Sequence, residues 1–267
     1  MRNLLKRSIS GIIYVVIFIS SILFSKESYV VLTTIFSLLC IWEFCKMTNL
    51  KNFAAYLFFS AVLFLLMIRQ ESYATTIVLV VTIFSSISLM YKLFAKKEIK
   101  YTDERSKLGV VIRYIVFSMC FLILLPFYNK SFHPYFMISI LSIIWVNDSF
   151  AFLVGKNFGK HKLFPSVSPK KTVEGLLGGL VFSLLAGLFI SKYQTDFSLI
   201  NWLIIALIVS ILGTVGDLVE SKFKRQANIK DSGTIIPGHG GVLDRIDSHM
   251  ACFPAFLFII YLINAFF

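Results

Sequence analysis

Charge is scarce in this sequence. Only 15% of its 267 residues are Asp, Glu, Lys or Arg, against ~25% in an ordinary soluble domain. Hydrophobic residues reach 57%, against ~45–50%, and mean hydropathy is +0.82. A soluble fold could not hide so much apolar surface, so most of it faces lipid. Disordered chains are poor in hydrophobics, so disorder is excluded as well. Cysteine is also sparse. Cys40, Cys45, Cys120 and Cys252 lie mostly in apolar runs with no ligand spacing, which excludes a disulfide scaffold and suits small packing residues. There is no internal repeat and no low-complexity tract.

A membrane span needs roughly 20 mostly apolar residues. Nine runs qualify: 10–25, 29–46, 53–69, 73–92, 108–128, 135–154, 175–192, 199–221 and 246–266. The expected fold is an all-α integral membrane protein of about nine helices. The first run follows Arg2, Lys6 and Arg7 like a signal peptide, but Leu23-Phe24-Ser25-Lys26 carries no small-x-small cleavage pattern, so it reads as an uncleaved helix. With the N-terminus in the cytoplasm and the C-terminus outside, 21 of the 26 Lys and Arg fall on the cytoplasmic side. Lys26, Arg69, Lys130 and Lys192 fall outside, and Arg113 falls within a span. That asymmetry agrees with the positive-inside rule. The net charge of +12 is then a positive cytoplasmic face, suited to anionic lipid. No soluble basic domain exists to carry nucleic acid.

Residues 1–130 read as an N-terminal membrane region with short loops. Residues 131–267 carry two long polar cytoplasmic loops, 155–174 and 222–245, where chemistry is expected. Ionisable residues inside spans are expensive and usually functional. Glu43, Arg113, Asp148 and Asp217 all lie near the cytoplasmic ends of their helices. Glu43 and Arg113 are either functional or snorkelling; the short Asp148 and Asp217 cannot snorkel far. Asp217, Glu220, Ser221 and Lys224 share one helix face, and Gly213 and Gly216 allow close approach beside it.

The loop SKFKRQANIKDSGTIIPGHGGVLDRID (221–247) combines three ingredients. Lys222, Lys224, Arg225, Lys230 and Arg245 supply positive charge. Asp231, Asp244 and Asp247 supply hard oxygen ligands. Pro237-Gly238-His239-Gly240-Gly241 supplies a turn whose backbone N–H groups could close on an anion. With Asp217, these residues describe a site for a phosphate-rich ligand and Mg²⁺, which is typically held by one or two carboxylates plus substrate phosphates. The glycines are not followed by Lys-Ser/Thr, so this is no Walker A loop. His239 and His249 are too few for zinc.

The run Ser221…Lys224-Arg225…Lys230-Asp231…Pro237-Gly238-His239-Gly240-Gly241…Asp244-Arg245…Asp247 resembles the signature of the phosphatidate cytidylyltransferase (CDP-diacylglycerol synthase) family. Asn147-Asp148-Ser149 with Phe150 to Gly155, and Ser168-Pro169-Lys170-Lys171-Thr172 through Glu174-Gly175, resemble the same family. The likeness covers about 145–250, and no functional residue is carried over upstream. It implies a bacterial-type membrane enzyme making CDP-diacylglycerol and pyrophosphate from CTP and phosphatidate. It also implies a requirement for Mg²⁺, with a second, monovalent cation such as K⁺, and a homodimer. Asp217 and Asp244 align with the metal-holding acids.

The roles expected on this basis are specific. Lys224, Arg225, Lys230 and Arg245 contact triphosphate or the phosphatidate head group, and Arg245 could instead pair with Asp247 or Asp231. Asp247 is a further ligand or the N-cap of the ninth helix. His239 serves the departing pyrophosphate or the turn. Lys170 and Lys171 reach phosphate, while Ser168-Pro169 and Thr172 could merely start the next helix. Asn147, Asp148, Ser221, Gly238, Gly240 and Gly241 complete the substrate site. Two other readings stand beside this one. A transporter would use the intramembrane charges along a path, but these stay on one side. Another Mg²⁺-dependent transferase acting on a lipid phosphate is nearer, yet the Asp-Gly-x-x-Ala-Arg pattern of CDP-alcohol phosphotransferases is absent.

Overall fold

The computed structural model describes residues 2–68, 73–128, 131–236, 238 and 240–250. Helices α1 (Arg2–Phe24), α2 (Lys26–Thr48), α3 (Ala54–Ile68) and α4 (Tyr73–Phe94) come first. Next, α5 (Glu104–Val111), a π-helical turn (Ile112–Val116) and α6 (Phe117–Leu124) run on as one 21-residue rod. Then follow a two-residue antiparallel pair, β1 (Phe127–Tyr128) with β2 (Ser131–Phe132), and α7 (Pro134–Phe158), α8 (Val173–Ile190), α9 (Leu199–Gln226) and the short α10 (Leu243–Met250). Six of these segments are long and apolar enough to cross a membrane: Lys26–Thr48, Tyr73–Phe94, Glu104–Leu124, Pro134–Phe158, Val173–Ile190 and Leu199–Gln226. Ile9–Phe24 and Ala54–Ile68 are apolar but shorter. The candidate ninth span lies, from residue 251 on, outside the described residues, as does Cys252. The chain is an α-helical integral membrane protein.

Local chemistry sets the helix ends. Ser25 and Ser28 form a reciprocal capping box at the start of α2, and Asn49 closes that helix in the left-handed region at φ 52°. Pro134 opens α7, where its missing N–H costs nothing. Thr172 caps α8 by accepting a hydrogen bond from the Gly175 N–H at 3.1 Å. Thr172→Ala should therefore cost about 1 kcal/mol, read as a lower unfolding midpoint in detergent; an unchanged midpoint would remove the cap from the account.

Two expected loops are shorter and more structured than their apolar boundaries suggest. Helix α9 runs past its apolar stretch to Gln226, so the loop begins near 227 rather than 222. Lys222, Lys224, Arg225 and Gln226 are good helix formers, and Asn228, at φ 56°, marks the stop. Likewise α7 continues to Phe158. The segment 155–174 then folds as an antiparallel hairpin, β3 (Lys162–Phe164) with β4 (Ser168–Thr172).

Outward faces are apolar: Leu57 and Phe64 on α3, Ile77 and Phe84 on α4, and Leu177, Val181 and Leu185 on α8 are exposed. Inside, Phe44, Tyr114 and Phe223 pack with ring centroids 5.1–5.6 Å apart, joining α2, the π-helical turn and α9. Helices α7 and α8 lie in close contact. A Cβ at Gly178 would stand 2.6 Å from the Val154 side chain, and one at Gly179 would stand 2.7 Å from Asn147 Oδ1. The glycines on α8 are what let α7 approach. Lys222 turns away from the chemistry and donates to the carbonyls of Lys92 and Lys97 at the end of α4.

Candidate active site

The ends of α7, α8, α9 and α10, with the β3–β4 hairpin, enclose a cavity of about 720 Å³. Helix α7 contributes Asn147, Asp148, Phe152 and Lys156; the hairpin contributes Lys162, Lys170 and Lys171. Helix α9 contributes Thr214, Asp217 and Lys224, and the last loop and α10 contribute Asp231, Asp244, Arg245 and Asp247. The lining therefore holds five aspartates and six Lys or Arg, with Ala151, Phe152, Leu163 and Leu176 as apolar wall.

The polar stripe of α9 meets partners from the hairpin and the last loop in two clusters, one around Asp217 and one around Lys224. Ser221 Oγ donates to Asp217 Oδ1 at 3.2 Å, and the Lys171 ammonium lies 2.6 Å from Asp217 Oδ2. One turn on, Lys224 sits between two carboxylates. It pairs with the wholly buried Glu220 and donates to Asp244 Oδ1 at 2.8 Å. Asp244 also accepts the N–H of Ser232 at 2.9 Å and that of Gly241 at 2.8 Å. Burial raises this carboxyl, but the Lys224 ammonium and the two backbone donors outweigh it and hold it below its ordinary value. On α7, Asn147 donates to Asp148 Oδ1 at 3.2 Å and accepts from Ser183 on α8 at 3.3 Å. That fixes Asp148 toward the cavity.

The glycine-rich turn closes on anions that belong to the protein itself. Ile236 and Gly240 exchange backbone hydrogen bonds, and Gly240 takes φ 95°, where an L side chain is strained. A Cβ there would stand 2.5 Å from Asp244 Oδ2. Gly241 packs against the Glu43 carboxylate of α2 in the same way. Gly240 and Gly241 thus shape the loop around Asp244 and Glu43, and Gly238, Gly240 and Gly241 are absent from the cavity lining.

Other expected residues separate. Arg225 is exposed and donates to the carbonyls of Val167 and Ile229. It ties the hairpin to the loop and does not line the cavity; Lys230, also exposed, is likewise outside the lining. Asp247 is the fifth residue of α10 and not its cap, because that helix starts three residues earlier than the apolar run suggests. His239 and Pro237 lie outside the described residues, as does the His249 side chain. Arg113 is exposed, as a snorkelling arginine would be. Glu43 instead is wholly buried. Lys156 and Lys162 join the lining without a sequence signal beyond their place in a basic loop.

A cavity of carboxylates and ammonium groups opened in an apolar helical bundle marks an integral membrane protein equipped to hold charged ligands. Comparison with known proteins gives the class its chemistry. The Cytidylyltransferase family model matches residues 5–263. The phosphatidate cytidylyltransferase of Staphylococcus haemolyticus (strain JCSC1435) is 34% identical over 254 residues, covering 93% of this chain and 95% of that one. That of Staphylococcus aureus (strain COL) is 35% identical over 255 residues, with the same coverage. That of Bacillus subtilis (strain 168) is 31% identical over 272 residues, covering 99% and 100%. The chain belongs to the cytidylyltransferase family and is a nucleotidyltransferase.

Proposed function

We propose that this chain is a phosphatidate cytidylyltransferase, forming CDP-diacylglycerol and pyrophosphate from CTP and phosphatidate in phospholipid biosynthesis. The observation that carries the reading is the convergence of Asp148, Lys171, Asp217, Lys224 and Asp244 on one cavity, in a chain similar along nearly its whole length to relatives of that name.

The chemistry suits the residues. A phosphate monoester has a second pKa near 6, so the phosphatidate oxygen is already ionised at neutral pH. It attacks the α-phosphorus of CTP, forming the new P–O bond as the bond to pyrophosphate breaks. No strong general base is required. The site must bring two anions together against repulsion and hold them in line. Lys171, with Lys170 and Lys162 on the hairpin, and Arg245 on α10 supply positive charge to the cavity. The apolar wall of Ala151, Phe152, Leu163 and Leu176 suits a lipid arriving sideways, while CTP arrives from the aqueous side.

The donor set fits Mg²⁺. Asp217 and Asp244 are hard oxygen ligands on the lining of one cavity, and each already faces a cation, Lys171 or Lys224. Among the described residues no three carboxylate, His or Cys side chains form a ready-made cage, which suits a metal completed by substrate phosphates. Asp217 and Asp244 would hold it, and Asp148 would orient the ligand. When bound, Mg²⁺ neutralises triphosphate charge; a monovalent cation such as K⁺ would draw on the same acids.

The proposal includes nine spans with the N-terminus and active site facing the cytoplasm, in the cytoplasmic membrane. The distribution of Lys and Arg supports it. It takes residues 131–267 as the catalytic region on an N-terminal membrane region, 1–130. The homodimer rests on family resemblance, and no nucleic acid is involved.

The test uses the full chain in detergent with phosphatidate, Mg²⁺ and labelled CTP, following label into the organic phase. CTP-specific labelled lipid that EDTA abolishes and Mg²⁺ restores is the expected result. Equal labelling from ATP would overturn the nucleotide assignment, and EDTA-resistant labelling would overturn the metal.

A further inference from the structure

We propose that Glu43, on α2 of the N-terminal region, is a positioning residue for Asp244: its buried carboxylate clamps the loop that carries this acid into the cavity. The two residues are 201 positions apart. Among the described residues, every hydrogen bond to Glu43 comes from that loop. Oε1 accepts the N–H of Val242 at 3.1 Å; Oε2 accepts the N–H of Leu243 at 2.8 Å and the Ser232 hydroxyl at 3.2 Å. Val242 and Leu243 lead into α10, whose first-turn N–H groups have no partner within the helix. Glu43 therefore caps α10 from another helix. Gly233 and Gly241 leave room for it: a Cβ on Gly241 would stand 2.5 Å from both carboxylate oxygens.

The clamp reaches Asp244 through shared backbone. Ser232 gives its hydroxyl to Glu43 and its N–H to Asp244. Gly241 gives its N–H to Asp244 while its α-carbon packs on Glu43. Leu243, whose N–H Glu43 holds, immediately precedes Asp244. Two carboxylates thus grip the same few residues from opposite sides, one facing the core and one facing the cavity. Glu43 lines no part of that cavity, so it can act on chemistry only by fixing where Asp244 stands. Groups behind a metal's own ligands commonly tune affinity or activity 10–100-fold.

The inference rests on Asp244 serving the metal, and the experiment separates the two. Glu43→Gln keeps the shape but turns an NH₂ donor, or a less basic oxygen, toward donors that need a carboxylate. Ser232→Ala removes one hydrogen bond and leaves the rest of the loop intact. Asp244→Asn is the reference. For each full-length variant, two quantities are read: the Mg²⁺ concentration for half-maximal activity, and the rise in melting temperature that Mg²⁺ alone produces. Glu43→Gln should raise the first by about 10–100-fold and shrink the second. Ser232→Ala should shift the first by roughly two- to tenfold, as loss of one hydrogen bond implies. A merely structural Glu43 would lower the melting temperature and leave both Mg²⁺ readouts alone. If Asp244→Asn moves them while Glu43→Gln and Ser232→Ala do not, the clamp is overturned and the metal reading stands. Should Glu43→Gln fail to fold, Ser232→Ala decides: a wild-type Mg²⁺ requirement overturns the clamp. If Asp244→Asn leaves both readouts unchanged, the metal reading itself falls, and the clamp with it.

Discussion

Asp217→Asn is expected to lower turnover by roughly 10³-fold or more while the protein remains folded. A metal bound to phosphoryl oxygens contributes several kcal/mol of charge stabilisation in the transition state, and each ~1.4 kcal/mol is a factor of ten. Asparagine keeps the size of the side chain, and its carbonyl can still accept from Ser221. It loses the charge that faces Lys171 at 2.6 Å. The side chain is 29% exposed, so water screens the pair in part and its loss costs less than that of a fully buried pair. Initial rates of CDP-lipid formation, with the melting temperature as control, check this. A folded variant with near-normal rates would sink the assignment of Asp217 to metal or substrate phosphate.

Lys224→Met carries the largest expected effect on stability. The ammonium is the positive charge that Glu220 and Asp244 share in the structure, and the residue is 8% exposed. Removing one partner from a buried pair costs about 3–5 kcal/mol, because an uncompensated charge remains. Here two carboxylates would remain. The unfolding midpoint in detergent should fall sharply, and adding Glu220→Gln should recover part of the loss. A strong activity loss with an unchanged midpoint would make Lys224 a substrate contact, not the counter-ion that holds this network together. The Asp244 carboxylate predicts a pH trend in the same measurement. Its folded-state value lies below the ordinary one, so its stabilisation is present above pH ~4 and is lost as the pH falls through the depressed value. Lys224→Met should flatten that acid limb.

Much of this was legible in the residues alone. Scarce charge and long apolar runs determine a membrane protein, because nothing but lipid can accommodate that surface. The stripe from Asp217 to Lys224 follows from the 3.6-residue period, which is a local property of the chain. In the structure that stripe meets its partners in two clusters, one around Asp217 and one around Lys224. The likeness over 145–250 also named the class of enzyme, since short polar motifs in loops survive as text. Helix ends were less legible: α9 outruns its apolar stretch, and 155–174 holds a hairpin, because polar residues form helices and strands as readily as apolar ones do.

Tertiary structure alone decided who faces whom. Nothing near Glu43 in sequence distinguishes a snorkelling acid from a buried clamp; its donors come from residues 232–243, about 190–200 positions away. Lys224 carries the same charge whether it meets a phosphate or sits between Glu220 and Asp244. Gly233, Gly240 and Gly241 of the last loop pack on Glu43 and Asp244, a purpose set by the close approach of α2 and α10. Such contacts depend on desolvated charges finding partners across the fold. A sequence records the charges, and only the packing of the helices decides which of them meet.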